Sequence, residues 1–367
     1  MDNTNLTIKQ GTGIKNREFP EIDFLRFIAI LLVVIFHFTV RWDTVIDYGK
    51  YFINPFWDYG WIGVQLFFII SGFVVTYTLS KSKNAKDFIL KRITRIYPAL
   101  WIILPIVYLF QLLTPYSNLK DRSTISNLLG SMTLIPPTIL NLSDLISFDW
   151  LTLVLWSLKV EMIFYIVCAI LYNYLSHQKV VSFISYICGA SSLLLILDYE
   201  LQLDNVYFNS IVKLMLALGF NYLPWFTIGM LCYKQKILLS NELFKIIFFS
   251  GLAIITTRSD RLIYSAVSAS IVILLFLITI FIKFPKIFKN QFIQKLGVSS
   301  YEMYLIHQGV GIPILIFIIN KFDLTINESI FLMVIIVSTL FILSVILCEF
   351  VTSKINIKFR QLLIKTT

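Results

Sequence analysis

The amino-acid sequence predicts an all-α fold, a polytopic helical membrane protein with about ten transmembrane helices. The mean hydropathy is +0.80, and 57% of the residues are hydrophobic whereas only 14% are charged. The apolar residues form runs that are too many and too long to be buried in one aqueous core. Lysines and arginines concentrate in alternate connections between these runs, as they do in multi-pass membrane proteins.

Ten apolar segments are each compatible with a hydrocarbon core of about 30 Å. The sixth is the least regular, because it carries Lys213 and is interrupted by Gly219, Asn221 and Pro224. It fits one tilted span, a broken helix or two short helices. The predicted spans are residues 24–42, 60–80, 97–114, 150–175, 180–197, 207–233, 243–257, 262–283, 297–319 and 329–351.

The positive charges predict the orientation of the chain. When it is threaded through ten spans, most of the 31 lysines and arginines fall on the side of the N-terminus. Cytoplasmic loops carry such an excess, so the N- and C-termini are both predicted to be cytoplasmic. Splitting residues 207–233 into two spans would place the cluster from Lys283 to Lys295 outside, which favours one span. We therefore expect a multi-pass protein of the cell inner (cytoplasmic) membrane.

Several classes of partner and site are not expected. The net charge of +10 is explained by membrane insertion and by attraction of short inner loops to anionic lipid headgroups. The lipid bilayer is therefore an expected partner, and nucleic acid is not. The four cysteines are scattered in apolar spans with no CxxC pair, so we predict neither a disulfide framework nor a metal site. The cysteines are Cys168, Cys188, Cys232 and Cys348.

The sequence predicts one membrane domain. The first 23 residues are polar and mixed in charge, and no small-residue cleavage site precedes a short apolar core, so no signal peptide is expected. We expect a transmembrane domain over residues 1–352, a short basic cytoplasmic tail over residues 353–367 and no soluble domain. The longest predicted non-spanning stretch is an outer loop from Pro115 to Asp149.

Arg26 and His37 are ionisable residues within the first predicted span, in a run from Phe24 to Val40 that is otherwise free of charge. They are eleven residues apart, which is about three helical turns plus 20° and a rise of roughly 16 Å. Both side chains therefore point along one face of the helix at different depths. Ionisable groups in a span are costly and usually face a cavity or the bundle interior, so this pair is a candidate functional site.

Three other spans place Ser71, Glu161 and His307 in the middle or outer half of the bilayer. Structural roles are open for some of these polar residues. A serine in a span commonly bonds to its own helix, and Ser71 with Gly72 also fits a packing seam. A buried neutral imidazole such as His37 can be satisfied by a neighbouring helix.

Glu161 is harder to explain by packing alone. A carboxylate in hydrocarbon costs a few kcal/mol, so it must be paired, protonated or facing water. Lys159 points to the opposite side of the same helix and is a poor partner. We therefore expect Glu161 to meet His37 or His307.

Arg92 and Arg95 form a second group, in the segment Lys91 to Pro98 at the inner end of the third predicted span. Arginines three residues apart share a helical face, and guanidinium groups suit phosphate recognition. Basic residues also flank most inner helix ends, so topology alone can explain the pair. Because Pro98 suits the first turn of a helix, the arginines are predicted to lie in a separate juxtamembrane turn.

Taken together, these residues resemble the acyltransferase 3 family of integral membrane acyltransferases, which includes polysaccharide O-acetyltransferases. Five motifs occur in the family's order and on the predicted sides of the membrane, and they cover nearly the whole chain. They are Arg26 and His37 as the arginine, ten residues, histidine signature, Phe67–Phe73 as FFxxSGF, Arg92–Arg95 as RxxR, Trp156–Glu161 as WSLxxE and Ser300–His307 as SYxxYLxH.

This resemblance implies transfer of an acyl group, usually acetyl, from cytoplasmic acyl-CoA to a sugar hydroxyl at or beyond the outer face. Acyl-CoA is then a co-substrate, with no permanently bound cofactor, and the acceptor is a glycan or a lipid-linked saccharide. The implied roles are catalysis for His37 and Glu161, acyl-CoA binding for Arg26, Arg92 and Arg95, and lining of an acyl tunnel or positioning of the acceptor for Ser71, Tyr301 and His307.

Two mechanisms are open for His37. It acts as general base on the acceptor hydroxyl, or it is transiently acylated and passes the group on. We rank direct base catalysis first, because no acyl-imidazole then has to be shielded from water. Glu161 is expected to orient the imidazole and stabilise imidazolium, as the acidic partner does in hydrolytic triads.

The chain departs from the family pattern in two ways. Met162 stands where many members carry a second acidic residue or a glutamine, which weakens the case for a paired acid there. Some relatives also append an SGNH esterase-like domain, which we do not expect here. The protein is therefore expected to act alone or to hand over to separate envelope-biosynthesis partners.

A proton-coupled transporter of an envelope sugar or lipid-linked intermediate is the rival prediction. His37, Glu161 and His307 would then form a proton relay, and the irregular segment 207–233 would belong to the substrate path. This alternative gives no reason for an arginine pair at the inner end, and no two-half symmetry is visible. A structural or sensory membrane protein leaves the intramembrane charges unexplained.

Overall fold

The computed structural model of the protein describes residues 18–42, 58–114, 122–140, 148–201, 206–257, 262–282, 288 and 290–365. In these residues the regular structure is helical throughout and contains no strand. Among them, eight helices are long and apolar enough to cross a membrane, and one bent pair adds a ninth span when it is counted as one. The predicted all-α polytopic membrane fold is thereby confirmed. The cytoplasmic placement of the termini stays a prediction.

Short irregular helices join some of the longer ones. A short 3₁₀ turn, Gly60–Ile62, leads into α2, and π-helical stretches at His307–Gly311 and Leu347–Thr352 join α13 to α14 and α15 to α16. The helices are α1 (Pro20–Thr39), α2 (Gly63–Ser80), α3 (Ala85–Leu113), α4 (Ile125–Thr133), α5 (Pro137–Leu140), α6 (Leu155–Tyr174), α7 (His177–Leu201), α8 (Val206–Ala217), α9 (Leu223–Ile237), α10 (Leu243–Thr256), α11 (Leu262–Phe281), α12 (Gln291–Val298), α13 (Ser300–Ile306), α14 (Ile312–Phe322), α15 (Ile326–Ile346) and α16 (Ser353–Lys365).

Two predicted spans take a different form. The predicted span 243–257 is the 14-residue helix α10, which rises about 21 Å and is shorter than a hydrocarbon core of about 30 Å. The described residues therefore contain fewer long spans than the ten predicted. The irregular segment 207–233 is the bent pair α8 and α9, which meet at 62°. Gly219 lies at the break with φ of 81°, a left-handed conformation that glycine adopts without steric cost.

Helix α3 corrects the expectation for Pro98. One helix of 29 residues runs from Ala85 to Leu113 with Pro98 inside it, so the arginine pair lies on the spanning helix and not on a separate turn. Proline removes the N–H that would bond to the carbonyl four residues earlier, and neighbouring helices in a bundle can satisfy that carbonyl. Here the side-chain amide of Asn356, oriented with its nitrogen toward the carbonyl, donates to Thr94 O at 3.1 Å.

Helix α4 packs along α3. The Tyr97 hydroxyl donates to Thr133 O at 2.8 Å, and the Trp101 indole N–H donates to Met132 O at 3.0 Å. The predicted outer loop between the third and fourth spans therefore contains a helix that lies against a spanning helix. Parts of that loop, residues 115–121 and 141–147, lie outside the described residues.

The centre of the bundle is formed by its most enclosed spans, α2 and the run Ser300–Phe322. The backbones of α2 and α9 touch, because a Cβ on Gly229 would lie 1.9 Å from Ile69 O and a Cβ on Gly72 would lie 2.0 Å from Phe226 O. Small residues allow such close approach between membrane helices. Gly72 thus belongs to a packing seam, which was the structural alternative for this pair, and Ser71 beside it faces Glu161 on α6.

Candidate active site

A cavity that opens to the surface lies between α1, α2, α3, α6 and α13. Helices that are far apart in the sequence each contribute to its wall. Much of the lining is aromatic or aliphatic, from residues such as Phe67, Leu158 and Tyr304. Five of the predicted site residues also line it: Arg26, Ser71, Arg95, Glu161 and Tyr301.

Glu161 is held by hydroxyl groups from two helices. Ser71 Oγ donates to Glu161 Oε1 at 2.7 Å, and the Tyr165 hydroxyl, one turn further along α6, donates to the same oxygen. These uncharged donors satisfy the half-buried carboxylate, so it needs no imidazole as a partner. The structure therefore does not bring Glu161 to His37 or His307 as expected: in the described residues neither histidine bonds to it.

Two arginines line the cavity, and they differ in their contacts among the described residues. Arg95 lines the cavity, and in the part of the chain that the structure describes it makes no hydrogen bond or ion pair. Arg26 lines the same space, and its Nη1 lies 2.9 Å from Asp23 Oδ1. Asp23 offsets the charge of Arg26, whereas that of Arg95 is left to face the cavity. The hydrogen-bond donors of Arg95 are therefore available to an anion that enters the cavity.

Arg92 has a different environment from Arg95. It is only 3% exposed, donates to Thr78 Oγ1 at 3.0 Å and places its guanidinium 5.0 Å from the centre of the Tyr165 ring. This cation–π contact supports the tyrosine that bonds to Glu161. The predicted arginine pair is thus divided, with Arg95 at the cavity and Arg92 behind its wall.

His37 and His307 form a pair at the far end of α1 from Arg26. Their ring centres are 4.9 Å apart at an interplanar angle of 77°. Arg26 shares the cavity with the start of α13, and His37 meets the residue that follows α13. One face of α1 therefore presents both predicted residues to the same neighbouring helix, as the eleven-residue spacing indicates.

The hydrogen bonds of the two histidines assign their tautomers. His37 Nδ1 lies 2.8 Å from Val33 O, and His307 Nδ1 lies 2.8 Å from Tyr304 O. A carbonyl oxygen only accepts, so each neutral ring carries its hydrogen on Nδ1 and a lone pair on Nε2. His307 Nε2 is buried without a hydrogen-bond partner among the described residues. The pair therefore offers two basic nitrogen atoms.

His307 begins a π-helical stretch that continues to Gly311. Such widened turns are rare and often occur at functional sites. The next residue, Gln308, is 1% exposed, and its side chain accepts a hydrogen bond from Thr152 at 2.9 Å. The irregular turn is therefore tied to the segment before α6 and fixes the position of His307.

Sequence reasoning missed several residues that complete the site. Tyr165 follows Glu161 by four residues, so the one-turn spacing on a helix was the signal for this contact. Tyr304 and Ser157 lie within two of the motifs already recognised, and their side-chain oxygens are 2.7 Å apart. Asp23, the partner of Arg26, follows from its spacing of three residues on α1.

Comparison with known proteins identifies the class. The sequence model of the acyltransferase domain, which defines the acyltransferase 3 family, matches residues 19–351. The match covers most of the chain, and the chain belongs to this family. The family resemblance drawn from the five motifs is thereby confirmed.

Individual relatives are similar to the chain at low sequence identity. A protein of Staphylococcus aureus (strain COL), provisionally named an O-acetyltransferase, is 26% identical over 335 residues, 81% of this chain and 51% of that protein. A peptidoglycan O-acetyltransferase of Listeria monocytogenes is 26% identical over 120 residues, 31% of this chain and 17% of that protein. The chain thus spans about half the length of the staphylococcal protein. No solved structure gives a significant match.

Proposed function

We propose that this protein transfers an acyl group from cytoplasmic acyl-CoA across the membrane to a hydroxyl of a cell-envelope or secreted glycan. The acyl group is proposed to be acetyl. One observation carries the proposal. A cavity is lined by Arg95, which makes no hydrogen bond or ion pair among the described residues, and Tyr304 in its wall is three residues before His307 of the histidine pair. A cation for an anionic donor and a basic nitrogen for catalysis thus lie on the two sides of Tyr304.

The donor is proposed to bind at the Arg95 end. Coenzyme A carries a diphosphate and a 3′-phosphate, and arginine suits such groups. Arg26 contributes a second cation, reduced by its bond to Asp23. The predicted role of Arg92 in acyl-CoA binding becomes an indirect one in this proposal, because its contacts are with Thr78 and Tyr165.

Glu161 is proposed to bind the donor as well. Pantetheine contains amide N–H groups, and a carboxylate fixed by Ser71 and Tyr165 is a suitable acceptor for them. Tyr301 lines the same cavity and its hydroxyl donates to Ile96 O at 3.1 Å, which fixes the ring as a wall for the pantetheine arm. This role for Glu161 replaces the expected one of orienting His37.

The chemical step is proposed to take place at the histidine pair. His37 Nε2 removes the proton of the acceptor hydroxyl while the hydroxyl oxygen attacks the thioester carbon. The C–S bond breaks, and CoA leaves as a thiolate that takes up the proton from the imidazolium. His307, 4.9 Å from His37 between ring centres, is proposed to position the acceptor and to stabilise the transient imidazolium through its own Nε2. Formation of an acyl-imidazole is the alternative course.

The acceptor is proposed to be a glycan or lipid-linked saccharide at the outer face of the inner membrane. The names of the relatives support this class, since one is a peptidoglycan O-acetyltransferase. Separate envelope-biosynthesis proteins are proposed as the partners that supply or take over the modified glycan. The transporter alternative is disfavoured, because a proton relay through Glu161 and both histidines needs contacts that the described residues do not make.

The test is acyl transfer by the purified protein in lipid nanodiscs. With labelled acetyl-CoA and envelope glycan fragments, we expect release of free CoA together with an alkali-labile acetyl ester on the glycan. Gly251→Ala is a matched control, because a Cβ at Gly251 meets nothing within 4 Å. The proposal is wrong if acetyl-CoA is neither bound nor consumed with any envelope acceptor while the protein carries proton-coupled flux in liposomes.

A further inference from the structure

Tyr304 separates the cavity from the histidine pair. Its ring lines the cavity, and its centre lies 5.6 Å from the centre of the His307 ring. Neither His37 nor His307 lines the cavity, and His307 is fully buried. Phe67 packs edge-on against Tyr304 with ring centres 6.1 Å apart. A wall of aromatic rings therefore stands between the space that contains Arg95 and the imidazoles.

The Tyr304 ring is anchored at both ends. Its Cβ belongs to α13, and its hydroxyl donates to Val154 O at 2.9 Å just before α6. The same hydroxyl lies 2.7 Å from Ser157 Oγ. The ring therefore bridges two helices, and it is only 5% exposed. Ser157, part of the WSLxxE motif, fixes the position of Tyr304 through this contact.

We propose that Tyr304 is a specificity-determining partition, which limits the length of the acyl group that reaches His37 and keeps water on the cavity side away from the reacting carbon. The inference rests on the proposed function, since an acyl group that starts at the cavity must pass this ring to meet His37. The wall beside it is apolar, from Phe67 and Leu158. Removing the ring therefore opens space that additional methylene groups can fill.

The first experiment compares acetyl-CoA and butyryl-CoA as donors. In Tyr304→Ala we expect the ratio of kcat/KM for butyryl-CoA to that for acetyl-CoA to rise about tenfold or more, since one methylene in an apolar pocket is worth about 10- to 200-fold. Ser157→Ala keeps the ring and removes one anchor, so a smaller rise is expected. Tyr172→Phe is the matched control, because it loses a comparable bond, 2.8 Å to Ser82 O, away from the cavity.

The same variants also test whether Tyr304 keeps water away from the reacting carbon. Without an acceptor, Tyr304→Ala is expected to hydrolyse acetyl-CoA faster than the wild type: the C–S bond breaks, the water oxygen bonds to the acyl carbon, and acetate and the free thiol of CoA are released. An unchanged donor ratio together with unchanged hydrolysis in active Tyr304→Ala protein overturns the proposal.

A second experiment needs no acyl transfer and so separates this inference from the proposed function. His307→Cys is treated with a small methanethiosulfonate reagent, with and without Tyr304→Ala, and disulfide formation at position 307 is followed by peptide mass spectrometry. We expect faster labelling when alanine replaces Tyr304, because the reagent then reaches position 307 from the cavity without local opening of the fold. Equal rates, whether fast or slow, show that Tyr304 is not the barrier, even if acetyl-CoA is turned over as proposed.

Discussion

Replacement of Arg95 by glutamine tests how the donor is held. Arg95 is the cation that lines the cavity with no hydrogen bond or ion pair among the described residues, so its contacts are available to a ligand phosphate. A hydrogen bond to a charged group is worth about 1.5–3 kcal/mol, which corresponds to about 10- to 150-fold in affinity. We expect Arg95→Gln to weaken acetyl-CoA binding by this factor without lowering thermal stability.

Arg92→Gln is the matched control on the same helix. Its guanidinium is buried against Thr78 and Tyr165, so the expected loss is in folding stability, about 1–3 kcal/mol from one hydrogen bond and one cation–π contact. Donor affinity is expected to change less than in Arg95→Gln.

Both properties are measured on protein in nanodiscs, affinity by titration with labelled acetyl-CoA at low and high salt, and stability by thermal unfolding. The affinity lost in Arg95→Gln is expected to shrink at high salt, because the interaction with phosphate is screened. Equal losses of affinity in the two variants, or an unchanged affinity in Arg95→Gln, would refute the division of roles between the two arginines.

The remaining predictions concern the contacts around Glu161 and the helix packing that positions them. Tyr165→Phe removes one of the donors to Glu161, and we expect kcat/KM for acetyl-CoA to fall by about tenfold or more; an unchanged value argues against a role for this carboxylate. Gly229→Ala places a Cβ 1.9 Å from Ile69 O, and we expect a loss of about 1–3 kcal/mol in unfolding free energy. Gly251→Ala, with open space around it, is expected to leave the thermal midpoint within error, and similar behaviour of the two glycine variants contradicts the packing argument.

The sequence predicts the fold class well, because a bilayer requires long apolar helices and these are visible in the residue order. The break at Gly219 was also visible as a run of helix-interrupting residues. The continuity of α3 through Pro98 was not visible in this way. The carbonyl that proline leaves free is met by Asn356, which lies far along the chain. Local propensity contains no information about such a contact.

Only part of the candidate site could be predicted, because contacts between residues far apart in the sequence also form it. Helical spacing places Arg26 and His37 on one face, and the structure brings both to the region of α13. The partner of Glu161 depends on how α2 and α6 pack, because the contacting hydroxyl of Ser71 lies 90 residues earlier in the chain. The burial of Arg92 could not be predicted either. Arg92 and Arg95 look equivalent in the motif, and they differ only in the residues that surround them.

The most direct test of the central claim is the amount of O-acetyl ester formed on envelope glycan by His37→Ala compared with the wild type, under conditions where both bind acetyl-CoA. General base catalysis contributes about 100- to 10,000-fold, so we expect transfer to fall by such a factor while acetyl-CoA affinity stays within about twofold of the wild type. His37→Ala protein that binds the donor and transfers acetyl at the wild-type rate would contradict the account, because the basic nitrogen of His37 would then have no part in the reaction.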